Sequence, residues 1–145
     1  MYDIDVEGVH KFTESSALTP GNKLTTFTVD GVKCGLGICY DIYLEEFAKC
    51  YRKAGCQVMF YPAAFNPIIG PLHWDLVARA RSCDNQVYLA TISPARDSTA
   101  EYVAWGHSTV CDPWGRITLQ AGENEEILYT EFGMEIWLIL FSYHF

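Results

Sequence analysis

Cys39 is the residue whose type and position best suit covalent chemistry, and it lies in the stretch GVKCGLGICYD. Cys39 ends a short apolar run that predicts a strand and precedes a predicted helix, and ligands of α/β sheets bind at that carboxyl edge. Gly35 and Gly37 carry no side chains, which allows other groups to approach closely. The backbone amides of Tyr40 and Asp41, near the helix start, are placed to donate hydrogen bonds to an oxyanion. The pattern therefore fits a nucleophilic thiol at the edge of a sheet.

The same pattern also fits a structural cysteine. A free thiol within an apolar strand packs as a small hydrophobic side chain, and we assign that role to Cys34, which lies in the middle of the run. No histidine has a sequence relation to Cys39, so the base for a Cys39 nucleophile would be a carboxylate. The candidate carboxylates are Glu14, Asp41, Glu45 and Glu46. Both interpretations of Cys39 stay open from the residue pattern alone.

The elements that must position Cys39 alternate between strands and helices. Asp30-Gly31 predicts a tight hairpin turn between two strands. Apolar runs predict buried strands at 56–62 and 86–93, and further strands are predicted at 103–112, 115–120 and 125–132. Helical periodicity predicts helices at 44–55 and 71–85, the second burying Leu72, Leu76, Val77 and Ala80. The first strands are apolar on both faces, which predicts an α/β layered domain with a sheet covered on both sides.

The composition limits the class of protein. The chain has 145 residues, of which 50% are hydrophobic, and its formal net charge is −8. These values favour one domain with a real core and argue against a nucleic-acid partner, which needs a basic surface. The start MYDIDVEG has no features of a secretory signal, so the six cysteines indicate a reducing, intracellular compartment. No spacing predicts a metal site, and the apolar end FGMEIWLILFSYHF is too short to span a membrane.

Several ordered motifs resemble those of one known family. GLGICYD is similar to the nucleophile motif of the nitrilase (carbon–nitrogen hydrolase) superfamily, and VMFYPAAFN, HWDLVARARSCDNQVYLAT, SPARD and YVAWGHSTVCDPWG follow in the family's order. The resemblance covers 1–131 and leaves 132–145 as a divergent apolar tail. It implies a nitrilase-type α-β-β-α sandwich, present here as a partial domain that lacks the N-terminal half. The motifs are most similar to the omega-amidase branch, which hydrolyses the terminal amide of 2-oxo-acid amides such as 2-oxoglutaramate and 2-oxosuccinamate.

The resemblance implies a role for each matching residue. Cys39 would attack the amide carbon and form a thioester, and the Tyr40 amide would bind the oxyanion. Glu14 would match an additional glutamate that the family places beside its catalytic lysine. The substrate pocket would be lined by Tyr61, Phe65 and Asn66, although Phe65 fits ordinary core packing equally well. The resemblance further implies a small-molecule amide substrate, no metal or organic cofactor, a homodimer, and a cytoplasmic or mitochondrial location.

The sequence also departs from the family pattern. The family's general-base glutamate and catalytic lysine have no matching positions, and Tyr43 stands where relatives commonly carry arginine. We therefore expect impaired activity, exposed sheet edges and marginal stability. Two alternatives to an omega-amidase stay open. One is an inactive fragment that binds a partner through the helices 44–55 and HWDLVARAR, and the other is a different branch, such as deaminated-glutathione amidase or a nitrile hydrolase.

Overall fold

The computed structural model describes residues 3–6 and 10–135, which form two separate sheets. The smaller sheet is an antiparallel hairpin of β1 (Asp3–Val6) and β2 (His10–Thr13), followed by a 3-10 helix at Glu14–Ser16. The sequence patterns did not predict this hairpin.

The larger sheet has six strands in chain order, with α1 (Glu45–Lys53) and α2 (Gly70–Asn85) as crossover helices. The strands are β3 (Thr25–Val29), β4 (Val32–Leu36), β5 (Val58–Pro62), β6 (Tyr88–Ile92), β7 (Thr109–Cys111) and β8 (Ile117–Gln120). β4, β5 and β6 are parallel, and the outer pairs are antiparallel. The predicted α/β class is thus confirmed.

The turn between β3 and β4 has the geometry that its two residues predict. Asp30 has a φ of 49° and Gly31 a φ of 81°, and two consecutive positive φ values characterise the tight turn favoured by Asp-Gly. This hairpin fixes the register of β4, the strand that leads to Cys39.

The predicted strand at 125–132 is wrong. None of these residues belongs to a strand, and Ile127 and Tyr129 are exposed. Phe132, at the end of the segment, packs against Phe60 and Tyr88 on a face of the large sheet. One apolar residue of this segment thus packs on the face of the sheet, and two others are exposed to solvent. The segment does not pair with the edge of the sheet.

Both helices pack on one face of the large sheet, where the main core lies. In α2, Val77 is buried as predicted, but Leu72 and Leu76 are 65% and 62% exposed. The prediction failed because Trp74 sets the orientation of the helix: its indole Nε1 donates to the His107 carbonyl at 2.6 Å. Burial of this large ring turns the leucines outward.

The opposite face of the sheet is only partly covered. Cys34, Val58 and Tyr88 form a second cluster there, against which Phe132 and Met134 pack. Farther along the sheet, β3 is exposed throughout, and a groove of about 300 Å³ runs beside it. The prediction of cover on both faces is therefore wrong for β3 within the described residues.

The described part of the predicted 132–145 tail is short. Phe132 contacts the second cluster, and the Gly133 carbonyl accepts a hydrogen bond from the Tyr88 hydroxyl at 2.9 Å. The predicted boundary after residue 131 stays a prediction, and residues 136–145 lie outside the described residues.

Candidate active site around Cys39

Cys39 begins a 3-10 helix at Cys39–Tyr43, here called the cysteine turn, directly after β4. The Gly37 amide donates to the Phe60 carbonyl at 3.0 Å and extends the pairing of β4 with β5 up to this turn. Cys39 itself has a φ of 47°, in the left-handed region that non-glycine residues rarely adopt. Backbone strain of this kind persists only where the surrounding contacts enforce it, and it concentrates at functional sites.

The two glycines before Cys39 allow aromatic rings to pack directly on the backbone. A Cβ atom at Gly37 would lie 2.3 Å from Cε1 of Tyr61, and one at Gly35 would lie 2.5 Å from Cδ1 of Tyr51. Real Cβ contacts are longer than this, so both positions require glycine unless the rings move. The predicted close approach is confirmed, and the approaching groups are core tyrosines.

Asp41 holds the start of the cysteine turn. Its Oδ2 accepts a hydrogen bond from the Ile38 amide at 2.9 Å, while its own amide donates to the Ile38 carbonyl at 3.0 Å. This reciprocal pair bridges the positive-φ residue Cys39. Asp41 thus has a structural partner in the turn, a role different from that of the free base considered from sequence.

The six cysteines are all free thiols, and their surroundings differ in a way that distinguishes Cys39. Burial raises the pKa of Cys34 and Cys56, and it raises the pKa of Cys111 to about 12. The thiols of these three residues are therefore poor nucleophiles, because the thiolate is the reactive form. Cys50 and Cys83 are exposed on the helices. Cys39 is half-buried and lies at a strand end.

The three predicted pocket residues have structural contacts. Tyr61 is fully buried beneath Gly37, where burial strongly raises the pKa of its phenol. Phe65 packs in the main core against the ring of Trp74, with ring centroids 5.1 Å apart. Asn66 accepts hydrogen bonds at Oδ1 from the amides of Ile68 and Ile69 and so orders the turn before α2. Their contact with a substrate stays a prediction.

The other carboxylates are distributed over two elements. Glu45 forms an ion pair with Lys49 one helical turn along α1, and this hydrogen bond lowers the pKa of Glu45. Glu46 is exposed on the same helix. Glu14 begins the 3-10 helix after the small hairpin, and its carbonyl accepts the amides of Ala17 and Leu18. The predicted roles of Glu14, as a candidate base for Cys39 and as the family's additional glutamate, stay predictions.

Tyr102 is a neighbour of Cys39 that sequence reasoning missed. Its hydroxyl donates to the Ala64 carbonyl at 2.6 Å. Burial raises the pKa of Tyr102, and the proximity of Cys39 raises it further. Tyr102 ends a segment with loop composition, SPARDSTAEY, and no periodic pattern relates it to the strand that carries Cys39.

Two cavities lie away from Cys39. One of about 330 Å³ is formed by β6, β7 and residues 121–130, and none of the predicted site residues lines it. The other is the groove beside β3. Within residues 3–6 and 10–135, no three His, Cys, Asp or Glu side chains come together to hold a metal ion. None of the helices described in this range is long and apolar enough to cross a membrane.

Comparison with known proteins supports the motif resemblance over nearly the whole chain. The family model described as carbon-nitrogen hydrolase matches residues 3–136. Omega-amidase NIT2 of Mus musculus is 53% identical over 135 residues, which are 93% of this chain and 49% of the mouse protein. Omega-amidase NIT2 of Homo sapiens is 50% identical over the same shares. The chain thus spans about half the length of the curated relatives it matches.

Solved structures show the same relationship. Nit3 of Saccharomyces cerevisiae, described as a member of branch 10 of the nitrilase superfamily, superposes with a TM-score of 0.85 at 46% identity. That match covers 90% of this chain and 48% of the yeast chain. The NitFhit protein of C. elegans gives a TM-score of 0.91 at 28% identity, over 99% of this chain and 35% of its own. By its sequence and its fold, the chain belongs to the carbon–nitrogen hydrolase family.

Proposed function

We propose that Cys39 is the nucleophile of an omega-amidase-like carbon–nitrogen hydrolase that cleaves the terminal amide of 2-oxo-acid amides such as 2-oxoglutaramate. The observation that carries the proposal is the setting of Cys39. It has a strained backbone, it is half-buried at the carboxyl end of a parallel strand, and it differs in this from the other five thiols. Identity of about 50% to proteins named omega-amidase supports the choice of substrate class.

The proposed reaction proceeds through a thioester. The Cys39 sulfur attacks the amide carbon, the carbon–nitrogen bond breaks, and the nitrogen leaves as ammonia after taking up a proton. That proton comes from the thiol. Water then attacks the thioester carbon, one of its protons restores the thiol, and the product is released as a carboxylic acid that ionises. The Tyr40 amide, next along the cysteine turn, is the proposed oxyanion donor, and Glu14 the proposed additional carboxylate.

The proposal predicts a slow reaction for this chain alone. The family's lysine and general-base glutamate have no matching positions in the sequence, and general acid–base catalysis contributes about 10²- to 10⁴-fold. We expect ammonia release from 2-oxoglutaramate at least about 100-fold slower than by the mouse relative under the same conditions. Cys39→Ala should abolish the release, and Cys83→Ala, which removes an exposed thiol, should leave it unchanged.

A chimera provides the complementary measurement. The part of the mouse relative that this chain does not match, joined to this chain in the order of the mouse protein, should restore rapid ammonia release that depends on Cys39. A folded chimera without such activity would overturn the proposal, as would equal rates for the chain and its Cys39→Ala variant. Activity on deaminated glutathione or on nitriles, without activity on 2-oxoglutaramate, would assign the chain to another branch.

An apolar stripe on α2 favours a second role, assembly into a homodimer or binding of a relative. Leu72 and Leu76 lie one helical turn apart on α2, and Ile68 lies in the segment just before the helix; all three are strongly exposed. Replacing Leu72 and Leu76 by serine should shift the chain to monomer in multi-angle light scattering. An unchanged mass for the double variant would exclude this surface.

The proposal also includes a reducing compartment, the cytoplasm or the mitochondrial matrix. Its support is that all six cysteines are free thiols, which persist where glutathione and thioredoxin keep them reduced.

A further inference from the structure

The guanidinium of Arg81 bridges the carbonyl end of the cysteine turn. Arg81 lies on α2, and its Nε donates to the Ile42 carbonyl while its Nη2 donates to the Tyr43 carbonyl, both at 2.9 Å. The two donors lie on one edge of the planar guanidinium and satisfy two successive backbone acceptors. The last carbonyls of a helix lack partners within the helix, and a cation is favourable there.

Helix α2 contacts the cysteine turn at a second point. Nδ1 of His73 shares a hydrogen bond of 2.7 Å with the Tyr43 hydroxyl, and the Tyr43 ring stacks on Phe65 at 5.6 Å between centroids. His73 and Arg81 are eight residues apart, which corresponds to about 12 Å along the helix axis. The helix therefore supports the turn at two separate places.

These contacts come from outside the turn, and the strain at Cys39 requires such contacts. Within the turn, Asp41 bonds Ile38 on the amino side of Cys39. On the carboxyl side, the carbonyls of Ile42 and Tyr43 are bonded by Arg81. A left-handed φ at a cysteine costs free energy, and it persists only where the surrounding structure enforces it.

We propose that Arg81 is a positioning residue for Cys39: its guanidinium fork keeps the cysteine turn closed, holding the thiol half-buried at the end of β4. The mechanistic meaning of this role rests on the proposed function, but the geometry of the turn does not. Lysine has a single ammonium with no planar fork, so it cannot span both carbonyls in the same way. The side chain of Arg81 is only 14% exposed, and its remaining ion-pair contact is with Asp84 at 3.5 Å.

The test measures thiol reactivity and requires no turnover. The purified chain is treated briefly with iodoacetamide, and the labelled fraction of each cysteine is quantified by peptide mass spectrometry. Arg81→Gln should raise the labelling rate of Cys39 by about tenfold, the factor expected for an opening equilibrium that loses charge-assisted hydrogen bonds. Arg81→Lys should give an intermediate rate. The buried thiols Cys34, Cys56 and Cys111 should keep their rates.

Arg79 provides the matched control. It lies on the same helix and donates from Nε to a single carbonyl, that of Gly115, at 2.8 Å. Arg79→Gln should leave the labelling of Cys39 unchanged.

Two results would overturn the proposal. The first is an unchanged Cys39 rate in Arg81→Gln or, where that variant does not fold, in Arg81→Lys. The second is equal acceleration of the three buried thiols, which would make Arg81 a general stabiliser of the fold. Since labelling needs no substrate, failure of the 2-oxoglutaramate assay would not affect this result, and the two failures can be distinguished.

Discussion

Replacing Gly37 by alanine should destabilise the fold and disturb the cysteine turn at the same time. Gly37 lies two residues before Cys39, and the aromatic rings of Tyr61 and Phe47 pack against its backbone. The substitution adds one methyl group at a position where the sheet, the core and the turn meet. It therefore tests whether close packing at this point fixes the position of Cys39.

The expected loss of stability in Gly37→Ala follows from the distances between the new Cβ and the neighbouring rings. The new Cβ would lie 2.3 Å from Cε1 of Tyr61 and 2.8 Å from Cε1 of Phe47, whereas carbon atoms pack best at about 3.5–4.0 Å. Tyr61 is fully buried and cannot yield by moving into solvent. Overpacking of a core costs about 1–3 kcal/mol, and we expect the upper end here. The gain from a stiffer unfolded chain, at most about 1 kcal/mol, leaves a net loss of about 2 kcal/mol.

The assay is urea unfolding followed by circular dichroism, combined with iodoacetamide labelling of Cys39. Gly21→Ala is the matched control, because no atom lies within 4 Å of the Cβ position there. We expect the control to be neutral or stabilised by about 0.4–1 kcal/mol. Equal unfolding midpoints for the two variants would refute the packing argument.

A double variant tests whether the Tyr61 ring causes the loss of stability in Gly37→Ala. If the Tyr61 ring is the obstacle, Gly37→Ala should cost less free energy in a Tyr61→Leu background than in the unsubstituted chain, because residues in contact show coupling energies of about 0.5–3 kcal/mol. Additive effects would assign the cost to another neighbour.

Two further predictions concern buried groups. The hydroxyl of Tyr61 has no hydrogen-bond partner within the described residues, so Tyr61→Phe should raise the Tm by about 2 °C; a decrease would reveal a partner. Burial raises the pKa of Cys111 from an ordinary value of 9.0 to about 12. Below pH 9 both the folded and the unfolded chain keep this proton, whereas between pH 9 and about 12 the unfolded chain loses it first, so stability should decrease with rising pH. Cys111→Ala should make that decrease shallower in urea midpoints measured across this range, and an unchanged slope would contradict the assigned cause.

Local patterns predicted the frame that carries Cys39. The Asp30-Gly31 turn depends on backbone preferences of two adjacent residues, and the strands and helices from 25 to 92 follow from apolar periodicity. These features depend on residues that are neighbours in sequence. The orientation of α2 was not predicted in this way, because Trp74 orients it through a hydrogen bond to His107, 33 residues away. Hydrophobic spacing alone treats Leu76 and Trp74 as equivalent candidates for burial.

The candidate site likewise combines features that neighbouring residues predict with features that depend on distant contacts. The strand-end position of Cys39 and the need for Gly37 were readable from sequence, since both depend on a short segment. The contacts that hold the turn were not, because Arg81 reaches Ile42 across 39 residues. In the sequence, Arg81 is one of several charged residues on a helix, and such residues are usually solvated. Its role depends on the parallel order of β4, β5 and β6, which places α2 beside the turn. The choice of Cys39 as the proposed nucleophile thus rests on local information, whereas the geometry of Cys39 is set by tertiary contacts. Variants that weaken those contacts should therefore change the labelling rate of Cys39 at a smaller perturbation than is needed to unfold the chain.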